Sequence, residues 1–386
     1  MTTTLLRPVH DRPTLVAFAT QGTWSWFVYG FGASLALLRD DQGTSAWLGG
    51  LHGTALALGG VIGALATPAL NRRFGRGAMM RASVIGMALC IVWFLWPGTA
   101  VGGTLAAVFV TCFFGNISVV CVSAFIADHQ GAASPAAFTE NLGITAFAGL
   151  LAPLAVGVAA TSVLGWRAGL LLAVVAFAVI EVVRGRHLSV YGTSAEPGTQ
   201  RDRSPMPALT WWALIAGTCY IGAEFCLSLW GVDLLRDRGG LSPAAAAAGL
   251  STVLGGIFVG RVLGLRLTER VNPERLLRGA LVIGLAAFSV AWLATSAPVL
   301  LTAFFFTGVG LALVWPMSMT RIMFSAQGRN DRAAALTLAM VTAAIGAAPF
   351  ALGAFSEIVG IHTAFLIVPA LLATSLVLVL LRPVSR

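Results

Sequence analysis

Twelve stretches of this chain are apolar enough and long enough to cross a lipid bilayer, and they constrain the fold more than any motif does. They run over roughly 14–38, 46–70, 79–97, 101–127, 135–161, 164–184, 209–235, 243–267, 277–296, 298–324, 333–357 and 362–382. About 20 predominantly apolar residues are needed for a spanning helix. Composition agrees, with 58% hydrophobic and 10% charged residues, where a soluble domain carries about a quarter charged. The first apolar run is too long for a cleavable signal peptide and lacks a small-residue cleavage site. The expected fold is an all-α integral membrane protein of twelve transmembrane helices.

The longest polar stretch, Arg184 to Pro207, is rich in Pro, Gly, Ser and charge. It reads as a flexible linker between six spans and six spans. The predicted organisation is an N-terminal half at 1–185, a cytoplasmic linker at 186–207 and a C-terminal half at 208–386. The net charge of +9 would suit a nucleic-acid binder in isolation, but here its location decides. With the N-terminus placed in the cytoplasm, nineteen arginines fall in inside segments, four in outside segments and Arg261 within a span. Basic residues accumulate on the cytoplasmic side, so both termini are expected there, in a multi-pass protein of the inner or plasma membrane. Every basic residue is arginine, a coding bias rather than chemistry. The five cysteines, Cys90, Cys112, Cys121, Cys219 and Cys226, lie in apolar stretches without metal-like spacing, and read as packing residues.

The string LLRD occurs at Leu37 to Asp40 and again at Leu234 to Asp237, an offset of 197. At the same offset Gly43 matches Gly240, Ser45 matches Ser242, and Gly59 and Gly63 match Gly256 and Gly260. Leu70, Arg73 and Arg81 match Leu267, Arg270 and Arg278. A shared register over consecutive features indicates an internal duplication. An even number of spans per repeat leaves the two halves parallel, related by an axis along the membrane normal.

These residues also carry a resemblance that covers essentially the whole chain. NRRFGRGAMMR after the second span and GRVLGLRLTERVNPERLLRG after the eighth resemble the two copies of the loop signature of major facilitator superfamily transporters. LGWRAG, Leu164 to Gly169, resembles that family's entry to its sixth span, and AGLLAPLAVG, Ala148 to Gly157, its Gly/Pro-rich fifth span. GVGLALVWP and YIGAEFCLSLW are similar to the fucose-permease-like branch. The resemblance implies two pseudo-symmetric six-helix halves around a central cavity, and transport by alternating access. There are departures. Arg72 stands where the first loop signature has its acid, although the second copy keeps Glu269 followed by Arg270. Thr111 stands where drug/proton antiporters of the family place an arginine, and the first span lacks the acid of a fucose-type symporter.

Arg72, Arg73 and Arg76 in the first loop, with Glu269 and Arg270 in the second, are candidates for a cytoplasmic gate. Asp128, near the end of the fourth span, is the expected partner of Arg73 or Arg76. Arg321, at the end of the tenth, is the expected partner of Glu269. A topological role alone, with arginines holding the loops inside, is the competing reading, since exposed pairs contribute under about 1 kcal/mol.

Glu224 lies near the middle of the seventh span. An ionised carboxylate there costs several kcal/mol, so an intramembrane acid is a functional candidate, here for proton coupling. Tyr220 and Ser228 share its helical face at i−4 and i+4, and its match in the first half is Phe27. Arg261 in the eighth span is a possible partner of Glu224 or a counter-ion for an anionic solute, or else a side chain that snorkels to the cytoplasmic interface. Gln21, Trp24, Ser25 and Val28 on the first span, Asn116 mid-fourth-span and Trp315 in the tenth are further cavity candidates, and His52 a buried polar one. Pro316 after Trp315 is expected to kink the tenth span. Gly256, Gly260 and Gly264 mark close helix packing.

No HExxH, Walker loop, GxSxG or clustered Cys/His set occurs, so neither an enzyme nor a metal or other cofactor is expected. The expected activity is secondary active transport of a small organic solute, preferentially proton-coupled export. Proton-linked uptake of a sugar or related metabolite is the alternative, and a non-transporting receptor or scaffold the outside one. The expected partners are a small-molecule substrate, protons and the bilayer, with no nucleic acid, and the expected state is a monomer.

Overall fold

A chain in hydrocarbon must pair its backbone groups within itself, and here it does so entirely with helices. The computed structural model describes residues 8–186, 188–192, 205–268, 271–327 and 329–382. In the first half the spans are α1 (Arg12–Gln42), α2 (Ala46–Phe74), α3 (Arg76–Leu95), α4 (Val101–Gln130), α5 (Ser134–Ala160) and α6 (Arg167–Arg184). The second half begins with α7 (Ala208–Gly239), followed by α8 (Pro243–Gly249) and α9 (Ser251–Thr268), which together form the eighth span. α10 (Pro273–Leu293) is the ninth, α11 (Ala297–Leu311) with α12 (Val314–Ser325) the tenth, and α13 (Asn330–Val359) the eleventh. α14 (Ile361–Ala364) and α15 (Ile367–Leu381) form the twelfth.

Ten segments are long and apolar enough, by length and composition, to cross a membrane among the described residues. α1 and α6 complete the twelve. They fall outside the ten because of polar content, α6 through Arg167, Glu181 and Arg184. Two of the broken spans have a visible cause. Pro316 has no N–H for the Ala312 carbonyl, and α11 ends just before that point; Pro369 has none for Phe365, where α14 gives way to α15.

The duplication is visible in local geometry. Both LLRD strings are followed by a glycine in the left-handed region, Gly43 and Gly240, each at φ 60°, which stops α1 and α7 in the same way. Ser45 and Ser242 then precede α2 and α8, with Ser242 accepting from the Ala245 N–H. The matched glycine stripes do equivalent work. On α2, Gly59 and Gly63 lie on the backbone carbonyls of Phe109 and Phe113 in α4. On α9, Gly256 lies on the Phe305 carbonyl and Gly260 on Val309 and Ala312. Without a side chain the two backbones touch, which replaces the hydrophobic drive that helices in lipid lack.

Of the linker, the short 3-10 turn Leu188–Tyr191 docks on the first half. Tyr191 is 3% exposed, 5.1 Å from the Phe125 ring, and the Leu188 carbonyl lies against Gly77.

A methyl group at the glycine contacts must force α2 from α4, or α9 from α11. Gly59→Ala and Gly256→Ala are each expected to cost about 1–3 kcal/mol by overpacking, lowering the midpoint of thermal unfolding in detergent by several degrees. Gly102→Ala, with no atom near the added carbon, is expected to leave it unchanged.

Candidate functional site

The seventh span carries a buried polar cluster inside the bundle. Glu224 is 8% exposed and Tyr220, one turn before it, 1%. The Tyr220 hydroxyl makes a short hydrogen bond with the Glu224 carboxyl, and lies 3.2 Å from the Leu311 carbonyl. Leu311 is the last residue of α11, where the tenth span breaks, so its carbonyl has no helical N–H to accept from and takes a side-chain donor instead. Arg261 of α9 is close enough for its charge to act on Glu224, Tyr220 and Tyr29. Tyr29 of α1 lies within electrostatic range of this cluster, and sequence reasoning missed it. The signal was present: Tyr29 lies one turn beyond Ser25, on the face that holds Ser25 and Gln21.

That face of α1 is lined as its spacing predicted, but its members behave differently. Gln21 is 5% exposed, and its Nε2 has no hydrogen-bond partner. The Trp24 indole rests on Gly115 of α4 and stacks on Phe27 at 5.9 Å between centroids. Ser25 donates to the Thr145 carbonyl at 2.7 Å, tying α1 to α5, and Tyr29 lies on Gly149. Val28 is half-buried. Asn116 lies on Gly60 and donates to the Cys112 carbonyl at 3.2 Å. Trp315 follows the break of the tenth span and faces Gly217. Ser228 presents its backbone carbonyl, not its hydroxyl, to Gly32, where α1 and α7 cross. His52 stays within the first half, 1% exposed, 3.0 Å from the Thr104 hydroxyl and 3.1 Å from the Leu48 carbonyl.

The two halves are clasped where the LLRD strings lie. Arg39 pairs with Asp233 at 2.9 Å, and its guanidinium lies 4.9 Å from the Trp230 ring centroid. Arg236 pairs with Asp40 at 2.8 Å. Each duplicated arginine therefore reaches an acid of the opposite half. Below the clasp, Gly50 and Gly53 of α2 abut Phe350 and Pro349 of α13, and the Thr54 hydroxyl donates to the Gly346 carbonyl at 3.2 Å. Trp230 donates to the Pro349 carbonyl at 2.9 Å, the acceptor facing the proline bend of α13.

At the other end, where the chain's termini lie, the expected gate residues are arranged within each half. Arg76, 3% exposed, pairs with Asp128 at 2.7 Å, as the loop signature led one to expect. Arg72 and Arg73 are exposed, Arg73 lying over the Phe74 ring. Arg321 is held by a different acid, Glu274. Both Glu274 carboxylate oxygens accept from Arg321 at 2.7 Å, and the Arg382 carbonyl accepts as well. Glu274 lies in the first turn of α10, directly below Arg321, and both its oxygens accept from the one Nη1 nitrogen while Nη2 turns to the Arg382 carbonyl. Glu269 and Arg270 lie outside the described residues. Arg81 and Arg184 share Glu181, at 3.1 and 2.7 Å. Asp11 caps α1 through the Thr14 N–H and meets His129 at 2.7 Å. Burial pushes the Asp11 carboxyl up, but the Thr14 hydrogen bonds and the His129 charge outweigh it and hold it below the usual range.

The family model described as Major Facilitator Superfamily matches residues 14–327. Among solved structures, the chain is similar to the peptide transporter POT in complex with sulfate, at 16% identity over 97% of this chain and 95% of that one, with a TM-score of 0.76. It is similar to the E. coli fucose:proton symporter FucP, at 17% identity over 97% and 99%, with a TM-score of 0.63. It is also similar to a bacterial homolog of the human lysosomal transporter Spinster in an inward-facing conformation, at 15% over 97% and 96%, with a TM-score of 0.68. No curated protein sequence matches.

Removing one member of a half-buried pair leaves the other charge uncompensated. Asp233→Asn is therefore expected to loosen the clasp by about 1–3 kcal/mol, between the values of exposed and buried pairs. A cysteine replacing Ser228, beneath the clasp, should then react several-fold faster with a membrane-impermeant maleimide than in the Ser228→Cys parent. Equal labelling would mean that the glycine contacts alone hold this end shut.

Proposed function

The chain belongs to the major facilitator superfamily, and from that premise we propose that it is a proton-coupled secondary transporter of a small organic solute, with Glu224 as the proton carrier. The observation that carries this reading is the placement of Tyr220 between the Glu224 carboxyl and the unpaired Leu311 carbonyl. A tyrosine hydroxyl has one proton to donate. With Glu224 ionised, Tyr220 donates to the carboxylate and Leu311 is left without a donor. With Glu224 protonated, the carboxyl donates to the Tyr220 oxygen and frees the hydroxyl proton for Leu311. Proton binding therefore decides whether the seventh span is tied to the break in the tenth. Pairing an intramembrane carboxylate with a switchable hydrogen bond is a physical route from protonation to helix position.

The solute cavity in this reading is bounded by Trp24 and Tyr29 on α1, Asn116 on α4, the Glu224 cluster on α7 and Trp315 on α12, with the clasped end facing outward and the termini in the cytoplasm. Aromatic walls on glycine floors suit export of a lipophilic compound that competes with the proton at Glu224, the first reading of direction. Arg261 supports the second reading. While Glu224 is ionised it offsets the Arg261 charge, and protonation releases that charge to hold an anionic or strongly accepting solute. Proton and solute then bind together, which favours uptake.

Glu224→Gln is expected to lower proton-driven transport at least tenfold in proteoliposomes, and to flatten the pH dependence of ligand-induced thermal stabilisation between pH 5.5 and 8. Unchanged transport and pH dependence would refute the proton-carrier role. Stabilisation that strengthens at low pH points to uptake, and stabilisation that weakens there points to export.

A further inference from the structure

Beside the clasp, α2 of the first half and α13 of the second lie against each other along a seam of close contacts. Toward the end of α13, the Thr54 hydroxyl reaches the Gly346 carbonyl, Gly50 abuts Phe350, and Gly353 lies on the Ala46 carbonyl. Glu357 stands one turn beyond Gly353, on the same face, and its Oε1 accepts from the Trp47 N–H at 3.0 Å. Trp47 is the second residue of α2, after Ser45 at the N-cap and Ala46. Its N–H is one of those that a helix cannot pair within itself, and an N-cap side chain ordinarily takes that N–H or the next. Ser45 makes no such bond.

Two further observations set Glu357 apart. It lies in the last turn of α13, which ends at Val359, where a negative charge opposes that helix's own dipole. The start of α2, the positive end of a helix, offsets it. The duplication supplies the comparison: at the offset of 197, Glu357 corresponds to Ala160 and Ser45 to Ser242. In that matching seam Gly157 of α5 lies on the Ala244 carbonyl, yet Ser242 caps α8 itself, accepting from the Ala245 N–H at 3.3 Å. One seam therefore joins a helix that carries its own side-chain cap. The other joins a helix whose side-chain cap, among the described residues, comes from across the interface.

We propose, on the reading of this chain as a secondary transporter whose clasped end opens in turn, that Glu357 is a positioning residue of that gate. It caps α2 from the opposite half, so parting α2 from α13 uncaps α2 and biases this end toward closure. The carboxylate stabilises the closed arrangement alone, because its acceptor oxygen leaves with α13. α8 keeps its cap in either arrangement, since Ser242 belongs to the same chain segment as the helix it caps. The latch therefore works on one of the two seams.

The test is the rate at which a membrane-impermeant maleimide labels the Ser228→Cys parent in detergent, at one pH and with no solute added. Glu357→Ala in that parent is expected to label about fivefold faster, the factor that corresponds to the ~1 kcal/mol of a typical helix cap. Glu357→Gln, which keeps an acceptor oxygen, should stay near the parent's rate. Ser45→Asn gives α2 a cap of its own in both arrangements, so adding Glu357→Ala to it should change the rate by less than about twofold. Glu357 is exposed, and substitution there leaves the fold intact. An unchanged rate in Glu357→Ala, or a fivefold rise that persists in the Ser45→Asn background, overturns the proposal. The labelling uses neither solute nor proton gradient, so the proton-carrier role of Glu224 can fail without touching it. A failed latch, in turn, leaves the transport test of Glu224→Gln standing.

Discussion

Charges that leave water in this molecule do so in company, and the architecture follows from that constraint. An uncompensated charge in hydrocarbon costs several kcal/mol, so the arginines near the helix ends are held by acids within reach. Arg184 and Arg81 share Glu181, Arg321 takes both oxygens of Glu274, and Arg76 meets Asp128. These pairs close each six-helix half on itself. Only at the LLRD end do pairs of this kind join one half to the other among the contacts described, Arg39 to Asp233 and Arg236 to Asp40. Each half is thus consolidated by its own ion pairs, and the halves are joined by the LLRD pairs together with the close backbone packing of α2 on α13 and of α1 on α7.

The duplication explains the scaffold, and its divergence explains the site. Glycine-on-carbonyl packing of α2 on α4 recurs as α9 on α11, and the left-handed glycines after both LLRD strings recur with the same φ. The clasp is already imperfect in its symmetry. Asp40 corresponds to Asp237, yet Arg39 pairs with Asp233, one turn deeper on α7, because there its guanidinium also covers Trp230. At the midplane the symmetry is lost altogether. Glu224 corresponds to Phe27, and Tyr29 to Cys226. The buried acid stands on one repeat only.

Much of this was legible in the sequence, because a bilayer leaves few choices. Hydropathy marked the twelve spans, the offset of 197 marked the repeat, and helical spacing put Tyr220 beside Glu224. Contacts between elements distant in sequence were harder to read. Tyr29 was reachable from Ser25 by one turn, yet nothing local says that α1 and α7 cross there, because that crossing depends on Gly32 admitting the Ser228 carbonyl. Glu274 as a partner of Arg321 was missed for a related reason. The loop signature draws attention to Glu269, whereas the first turn of α10 places Glu274 directly beneath the guanidinium. His52, read as a buried polar residue, is held by Thr104 on α4 inside the first half, a partner that its own helix could not reveal.

One helix carries both Glu224 and the clasp. Glu224 and Asp233 are nine residues apart on α7, about 13 Å along a helix axis at 1.5 Å per residue. Between them Trp230 is fully buried, covered by Arg39 on one side and bonded to the Pro349 carbonyl on the other. α7 is continuous through this stretch, whereas the neighbouring eighth and tenth spans are each interrupted. Under the proposed proton coupling, a change in how Tyr220 ties α7 to the end of α11 would not be absorbed within α7, and would reach the clasp as a displacement of Asp233 relative to Arg39. The break after Leu311 supplies the compliance, and the unbroken helix supplies the lever. If Glu224 carries the proposed proton, protonation near the midplane and opening at the LLRD end would be two readings of the same rigid element, with no chain of intermediate side chains needed to connect them.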